Sequence, residues 1–360
     1  MIETPPLVDQ YCHGVLRTEL GLGTFEAQLL PAAGPPAAGT TFFDTQTGFA
    51  VRRWCPPLLG LEPHATPARY LARRRELGAA ESARLLLRGS GVATYLVDTG
   101  EAGDLTGPKE LALAGDAEAF ETVRLELLAE QVADTSGTVA AFLANLAEAV
   151  HHAAAGAAAF TCATGLGPGF AAEPPGPGEV RGAAGRWLDR RTRGGAVRDP
   201  VILRHLLWSA VSSGLPLQLH AVAGEQDALT GFVRATEGLG ARLVLLGAYP
   251  RHRHAARLAA AFPHVYADTG AALGRTGAGA ATVLAELLEL APFGKLMFSS
   301  GGSRLPELHA VGALVFREAL GRVLGGWVAD GSWSWRDAGR VAALLAAGNA
   351  RRVYRLDERG

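Results

Sequence analysis

The chain has few cysteines, no long apolar run and no excess of charge of one sign. Its three cysteines, Cys12, Cys55 and Cys162, are scattered through 360 residues, and this odd number gives no disulfide framework. No apolar run reaches the roughly 18 residues that would span a membrane, and the first residues lack a basic segment followed by an apolar one. We therefore expect a cytoplasmic protein in a reducing compartment.

The charge balance argues against nucleic acid or a membrane surface as a partner. The 34 lysines and arginines are matched by 35 aspartates and glutamates, which leaves a net charge of -1, so no global field attracts polyanions. Short arginine clusters such as residues 73–75 are typical of solvated helix faces. The expected partner is a small-molecule ligand. The heavy use of Ala, Gly and Arg is typical of a bacterial, high-GC genome.

No Gly-x-Gly-x-x-Gly turn follows an early strand, which disfavours a doubly wound dinucleotide-binding sheet. Instead, strand and helix patterns alternate about eight times, and the length suits one large domain. The sequence predicts a (β/α)₈ TIM barrel as a single domain over residues 1–360. It also predicts an irregular insertion at about residues 17–66 over one barrel mouth, with one helix, and an extra terminal helix at residues 335–347.

In such a barrel the functional residues lie where the strands end at their C-terminal face. The first predicted strand carries Asp9, Tyr11 and His13 at alternate positions, so all three side chains should point to one side. Further chemical groups end later predicted strands. These are Glu126 on the third, Cys162 on the fourth, His220 on the fifth and Asp268 on the seventh.

Nine short motifs in order resemble the amidohydrolase superfamily, and most closely its branch that occurs alone or fused to glutamine-synthetase-like domains. They lie at residues 8–15, 70–74, 96–100, 123–126, 214–220, 249–253, 262–266, 290–295 and 305–308. The resemblance implies a barrel that holds one or two divalent metals and uses a metal-bound hydroxide to attack an amide, ester or related carbon. It also implies a homodimer and a glutamine-synthetase-like pathway partner.

The resemblance places His13 and His220 at two metal-ligand positions, but the other positions depart from the family pattern. Tyr11 replaces the first histidine of the first strand. Gly247 replaces a histidine after the sixth strand, Gly301 replaces the aspartate after the eighth, and Thr161 aligns with the fourth-strand lysine. That aspartate also transfers a proton, a role worth about 10² to 10⁴ in rate. Two histidines fall short of a catalytic zinc site, so we expect a degenerate site without a metal.

Candidate roles follow from these positions, each beside a plainer structural one. Candidate catalytic residues are His13, His220, Tyr11, Glu126 and Asp268. Candidate substrate-binding residues are Cys162, Gly247, Gly301, His252 and Arg253. The plainer alternatives are a packed aromatic at Tyr11, a buried inert thiol at Cys162, and a solvated rim around His252 and Arg253.

Three functions remain open. The first is a non-hydrolytic member that binds a small molecule or partner without metal chemistry, within a specialised biosynthetic pathway. The second is a metal-independent lyase, isomerase or acyl-transfer enzyme that reuses the pocket. The third is a hydrolase of an amide or γ-glutamyl-type bond, with zinc or manganese held by His13 and His220. Fold alone does not choose between them.

Overall fold

The computed structural model describes residues 2–30, 32, 34–167, 170–191, 195–220 and 226–359. Within these residues, eight parallel strands form one sheet in chain order from β1 to β8. This arrangement confirms the predicted (β/α)₈ TIM barrel. The strands are β1 (Leu7–Cys12), β2 (Val92–Asp98), β3 (Glu118–Arg124), β4 (Ala159–Cys162), β5 (Leu217–His220), β6 (Leu243–Leu246), β7 (Val265–Asp268) and β8 (Leu296–Met297).

Helices connect and follow the strands. Among the described residues they are α1 (Leu22–Glu26), α2 (Gln46–Leu58), α3 (Pro67–Leu77), α4 (Ala79–Gly89), α5 (Pro108–Gly115), α6 (Leu125–Thr135), α7 (Val139–Gly156), α8 (Pro177–Arg190), α9 (Pro200–Ser213), α10 (Gln226–Ala235), α11 (His252–Ala261), α12 (Gly270–Thr276), α13 (Ala280–Leu290), α14 (Pro306–Ala329), α15 (Trp335–Ala343) and α16 (Asn349–Tyr354). None of the described helices is long and apolar enough to cross a bilayer.

The predicted insertion is more regular than expected, because it contains both α1 and α2. The Thr45 side chain accepts a hydrogen bond from the Gly48 amide and so caps α2. The following helix, α3, has Thr66 as N-cap and Pro67 in the first turn. At the other end of the chain, the predicted single terminal helix is divided by a π-helical turn at Leu344–Gly348.

The described residues form two compact units. The first comprises Met1–Phe120 and Asp268–Arg352, and the second comprises Glu121–Ala267 and Val353–Gly360. In the first unit, the segment after β8 runs beside β1, because the His13 amide donates to the Gly302 carbonyl at 2.8 Å and the Gly301 amide donates to the Tyr11 carbonyl at 3.1 Å. The single domain over residues 1–360 remains a prediction.

The second unit has its own apolar interior around β4, β5 and β6. Leu217 pairs with Leu243 in the parallel ladder between β5 and β6, and both side chains are buried. Thr161 Oγ1 donates to Gln218 Oε1 at 2.7 Å, and Gln218 Nε2 donates to the Tyr354 hydroxyl at 2.9 Å. Thr161, where the resemblance expects a lysine, is therefore a buried structural hydrogen-bond donor.

A buried ion pair joins α3 to α14 in the first unit. Arg74 Nε lies 3.0 Å from Glu307 Oε1, and the Tyr70 hydroxyl donates to the same oxygen at 2.7 Å. All three side chains are almost completely inaccessible. Both charges are removed from water, so we expect the ion pair to fix the relative position of α3 and α14. Removal of either partner should destabilise the fold, because the other charge would remain buried without a counterion.

Candidate functional site

Tyr11 and His13 form the centre of the site at the end of β1. The Tyr11 hydroxyl lies 3.1 Å from His13 Nε2 and donates to Asp98 Oδ2 at 3.2 Å. On the other side of the ring, His13 Nδ1 lies 3.1 Å from the Asp98 backbone carbonyl. A carbonyl only accepts, so Nδ1 carries a proton, and the phenol faces the second ring nitrogen.

A second layer of charge lies behind His13. Glu101 Oε2 is 3.5 Å from His13 Nδ1, and Glu101 also accepts hydrogen bonds from the Ser303 hydroxyl and from Arg304 Nε at 2.8 Å. Burial raises the pKa of Glu101, but the charges and hydrogen bonds of these three neighbours outweigh it, so the pKa lies below its usual range. Glu101 is therefore an anion held against His13.

Asp9 lies deeper than Tyr11 and His13 and is completely buried. Its two oxygens accept hydrogen bonds from the Ser300 amide, at 2.8 Å, and from the Ser300 hydroxyl, at 2.5 Å. Burial raises the pKa of Asp9 to about 7, although the bonds from Ser300 partly oppose this rise. Asp9 thus ties the first strand to the segment after the last.

Asp268 ends β7, as predicted, and belongs to the same unit. Its Oδ1 accepts the Gly270 amide at 2.8 Å, so the carboxylate stabilises the turn that enters α12. Gly270 has a φ of +51°, and a Cβ added there would lie 2.2 Å from Asp268 Oδ2. These contacts give Asp268 a structural role, and its catalytic role remains a prediction.

In the second unit, Glu126 and Cys162 lie together. The Cys162 thiol donates to Glu126 Oε1 at 3.3 Å, and the Thr164 amide donates to the same oxygen at 2.7 Å. Glu126 does not end β3, as the sequence suggested, because that strand stops at Arg124 and Glu126 occupies the first turn of α6. Burial and the adjacent carboxylate raise the pKa of the Cys162 thiol well above its usual range, which disfavours a thiolate nucleophile.

The remaining predicted residues of the second unit lie at strand ends or just beyond them. His220 is the last residue of β5 and is half-buried. His252 and Arg253 begin α11; the imidazole of His252 is buried and stacks on Tyr249 with ring centroids 5.5 Å apart, whereas Arg253 is exposed. Their roles in substrate binding remain predictions.

Gly247 and Gly301 adopt left-handed backbone conformations, with φ values of +55° and +56°. These are the positions at which the family resemblance expects a histidine and an aspartate. A residue with a side chain is rarely found in this conformation, and glycine adopts it freely. The backbone after β6 and after β8 is therefore shaped to suit glycine.

The strand-end donors do not fit the metal centre that the family resemblance implies. Both ring nitrogens of His13 are within hydrogen-bond distance of protein oxygens, and Gly247 and Gly301 offer no side-chain ligand. A catalytic zinc site needs about three protein ligands besides water. We therefore assign no catalytic step to a metal at the strand ends.

Several residues around β1 were missed by the sequence analysis. Asp98 is the last residue of β2, and Glu101 and Ser300 follow strand ends. Nothing in the sequence shows that Asp98 contacts Tyr11, that Ser300 contacts Asp9 or that Glu101 contacts His13. His309 is the fourth residue of α14 and is fully buried. The sequence signal for this residue is a histidine among the apolar residues of a helix.

The barrel resembles solved structures along nearly its whole length. One is a proposed metal-dependent hydrolase from Lactobacillus casei ATCC 334, with a TM-score of 0.83 and 21% identity over 99% of this chain and 97% of that one. The chain shares the (β/α)₈ barrel fold of this structure. A second is the uronate isomerase of Thermotoga maritima, with a TM-score of 0.66 and 14% identity over 97% of this chain and 94% of that one. At these identities the likeness establishes the barrel fold and no activity.

One curated relative is similar in sequence to part of the chain. Protein fluG of Emericella nidulans is 32% identical over 152 residues, which are 40% of this chain and 18% of fluG. The match therefore covers less than a fifth of the length of that relative. No family model matches the chain.

Proposed function

We propose that this amidohydrolase-fold protein binds a small polar molecule at the Tyr11 end of the barrel and does not perform metal-dependent hydrolysis. The observation that carries the proposal is the contact between the Tyr11 hydroxyl and His13 Nε2. A histidine at this strand end serves a metal only if one ring nitrogen is available to it. Here the phenol engages that nitrogen, and the carbonyl of Asp98 engages the other.

The chemistry of the neighbouring groups supports a polar ligand. Tyr11, His13 and Glu101 provide a phenol, an imidazole and a carboxylate within one connected cluster. Such groups recognise hydroxyl, amide and ammonium functions through hydrogen bonds. Gly301, which joins its backbone to that of Tyr11, supplies no general acid or base, so hydrolysis by the family route lacks its proton carrier.

The first test measures which residues any bound metal depends on. The purified protein is incubated with excess zinc or manganese, and its metal content is compared with that of His13→Gln and His220→Gln. We expect both variants to retain the metal content of the wild type. A stoichiometric metal that is lost from both variants, together with chelator-sensitive cleavage of an amide, would instead establish the residual hydrolase.

The second test asks whether the cluster binds a ligand. Glutamine, glutamate, glucuronate and galacturonate are suitable probes, because the resemblance points to γ-glutamyl chemistry and one structural neighbour is a uronate isomerase. A probe at 100 times its Kd stabilises the folded protein by about 2.7 kcal/mol. We expect Tyr11→Phe to abolish this stabilisation and Tyr249→Phe, at an exposed tyrosine, to preserve it. Equal stabilisation of both variants would place the binding site elsewhere.

A second candidate function is a metal-independent enzyme, and the contact of Glu101 with His13 favours it. The ring of His13 lies between the hydroxyl of Tyr11, 3.1 Å from Nε2, and the carboxylate of Glu101, 3.5 Å from Nδ1, so an acid, a base and an anion lie side by side. Turnover by this route would depend on pH, would be unaffected by chelator and would be lost in Tyr11→Phe. Chelator-resistant turnover that survives this substitution would eliminate the candidate.

The wider biological setting is also a proposal. The superfamily resemblance suggests a homodimer and a partner of the glutamine-synthetase-like kind in a specialised biosynthetic pathway, within the cytoplasm. The match to part of fluG is compatible with this setting. Size-exclusion chromatography with light scattering tests the dimer, since the mass should be twice the 37.4 kDa of one chain.

A further inference from the structure

Three ligand-bearing side chains converge in the interior of the first unit. One ligand atom from each of Asp9, Cys12 and His309 lies within 4.8 Å of the others. All three residues have no accessible surface. A carboxylate, a thiol and an imidazole are the three ligand types that zinc takes from proteins.

The state of His309 points to a missing partner. Among the residues that the structure describes, neither of its ring nitrogens has a hydrogen-bond partner, although His309 is fully buried. A buried polar atom without a partner costs about 1–3 kcal/mol, and nearly all such atoms in folded proteins are paired. The ring is an unexplained polar group directed into the same space as Asp9 and Cys12.

The surroundings hold the ring in place. A Cβ added to Gly302 would lie 2.6 Å from the Cδ2 and Cγ atoms of His309, so only glycine fits against this face. The ring of Tyr95 contacts His309 edge to face, with centroids 6.1 Å apart. The imidazole is therefore packed on two sides, and its position does not depend on a hydrogen bond.

The charge of the cluster also suits a cation. Burial and the nearby carboxylates of Asp9 and Asp98 raise the pKa of Cys12, and burial lowers the pKa of His309 to about 3. Without a cation these groups are therefore a neutral thiol and a neutral imidazole. A divalent ion would stabilise the thiolate, accept a lone pair from the neutral ring and release the thiol proton to solvent. Asp9 is already oriented by Ser300, as a ligating carboxylate requires.

We propose that Asp9, Cys12 and His309 form a buried zinc site that ties β1 to α14. The thiolate selects zinc over magnesium and calcium, which prefer oxygen ligands. Three protein ligands leave the fourth position of a tetrahedral zinc ion to a water molecule. Three protein ligands and a water are also the ligand set of catalytic zinc sites, but no substrate can reach any of these three buried residues, and on that ground we assign the site a structural role.

The test uses the full chain with zinc and cobalt as probes. Protein stripped by chelator under mild denaturation is refolded with zinc, and zinc per chain is measured by elemental analysis. We expect about one zinc in the wild type, as for a single structural site, and its loss from Cys12→Ser. The matched controls Cys55→Ser and Cys162→Ser remove the other two buried cysteines and should retain the zinc.

Cobalt provides a readout that needs no folded variant. Refolding of the wild type with cobalt should give the thiolate-to-cobalt charge-transfer absorption of a cysteine ligand, and Asp9→Asn should weaken cobalt binding at least tenfold, as ligand changes do. No zinc and no cobalt band in the wild type would overturn the proposal. Metal retained in Cys12→Ser but lost from His13→Gln would overturn both the zinc proposal and the proposed metal-free function. The absence of zinc and of the cobalt band from the wild type would overturn the zinc proposal alone.

Discussion

The phenolic oxygen of Tyr11 lies within hydrogen-bond distance of both His13 Nε2, at 3.1 Å, and Asp98 Oδ2, at 3.2 Å. One hydroxyl proton serves two acceptors, so the positions of the imidazole, the phenol and the carboxylate depend on one another. The rings of Tyr11 and His13 also meet edge to face, with centroids 5.1 Å apart. A change at Tyr11 should therefore be felt by the other two residues.

Removal of this hydroxyl should destabilise the protein. In Tyr11→Phe the ring packing remains, but Asp98 and His13 each lose a buried partner, which should lower the free energy of unfolding by about 1–3 kcal/mol. Urea denaturation followed by circular dichroism measures the change. Tyr249→Phe, at a tyrosine that is 41% exposed, should remain within about 0.5 kcal/mol of the wild type. Equal effects in the two variants would contradict the shared hydrogen bond.

Glu101 should make stability depend on acid. Its pKa is lowered in the folded state, so its stabilising contribution is present above its unfolded pKa of about 4.3 and is lost as pH falls through the lower folded pKa. The difference in unfolding free energy between the wild type and Glu101→Gln should be constant at neutral pH and should shrink with acidification. The control is Glu148→Gln, on the exposed face of α7. A difference that grows with acidification would contradict the assignment.

The buried ion pair of Arg74 and Glu307 should be sensitive to the loss of one partner. Glu307→Gln leaves the Arg74 guanidinium buried without its counterion, which should cost about 3–5 kcal/mol. The matched control is Glu62→Gln, because Glu62 pairs with Arg69 at the exposed surface, where loss of a pair costs about 1 kcal/mol or less. Thermal unfolding of both variants provides the comparison. Similar losses of stability in the two variants would mean that the buried ion pair contributes no more to stability than the exposed one.

The left-handed backbone at Gly247 should resist any side chain. An added Cβ meets no atom within 4 Å, so Gly247→Ala tests the backbone conformation alone and should destabilise the protein by about 1–2 kcal/mol. Gly321, inside α14, is also free of contacts at Cβ. There the same substitution should stabilise the helix by about 0.5–1 kcal/mol. Chemical denaturation should therefore show a lower free energy of unfolding for Gly247→Ala and a higher one for Gly321→Ala. A higher value for Gly247→Ala would refute the backbone strain.

The barrel was predictable because alternating strand and helix patterns depend on local sequence. The helix His252–Ala261 carries apolar residues at helical spacing, and Thr66 caps α3, and both signals can be read from the local sequence. The end of β3 was placed two residues too late, because the apolar alternation of the strand continues through Leu125, although Leu125 and Glu126 favour a helix and lie in α6.

The candidate site was predicted only in part. Strand alternation correctly brought Tyr11 and His13 together on one side. The same alternation places Cys12 opposite Asp9, yet their ligand atoms lie within 4.8 Å of each other. The reason is that the register of β1 with β2 shifts between these two residues, and such irregularities arise from pairing with a distant strand. The approach of His309, from a helix near the end of the chain, left no periodic signal.

The π-helical turn at Leu344–Gly348 has a consequence for where this chain can be cut. The carbonyl of Leu345, within that turn, accepts the amide of Phe298, immediately after β8. Asn349 Nδ2 donates to the carbonyls of Phe293, at 2.7 Å, and Leu296, at 2.8 Å. β8 and its flanking residues thus obtain part of their backbone hydrogen bonding from residues about 50 positions later in the chain. A truncation before Leu345 would leave the Phe298 amide and the carbonyls of Phe293 and Leu296 without these partners, and an unpaired strand edge promotes aggregation. A shortened form for expression should therefore end after α16.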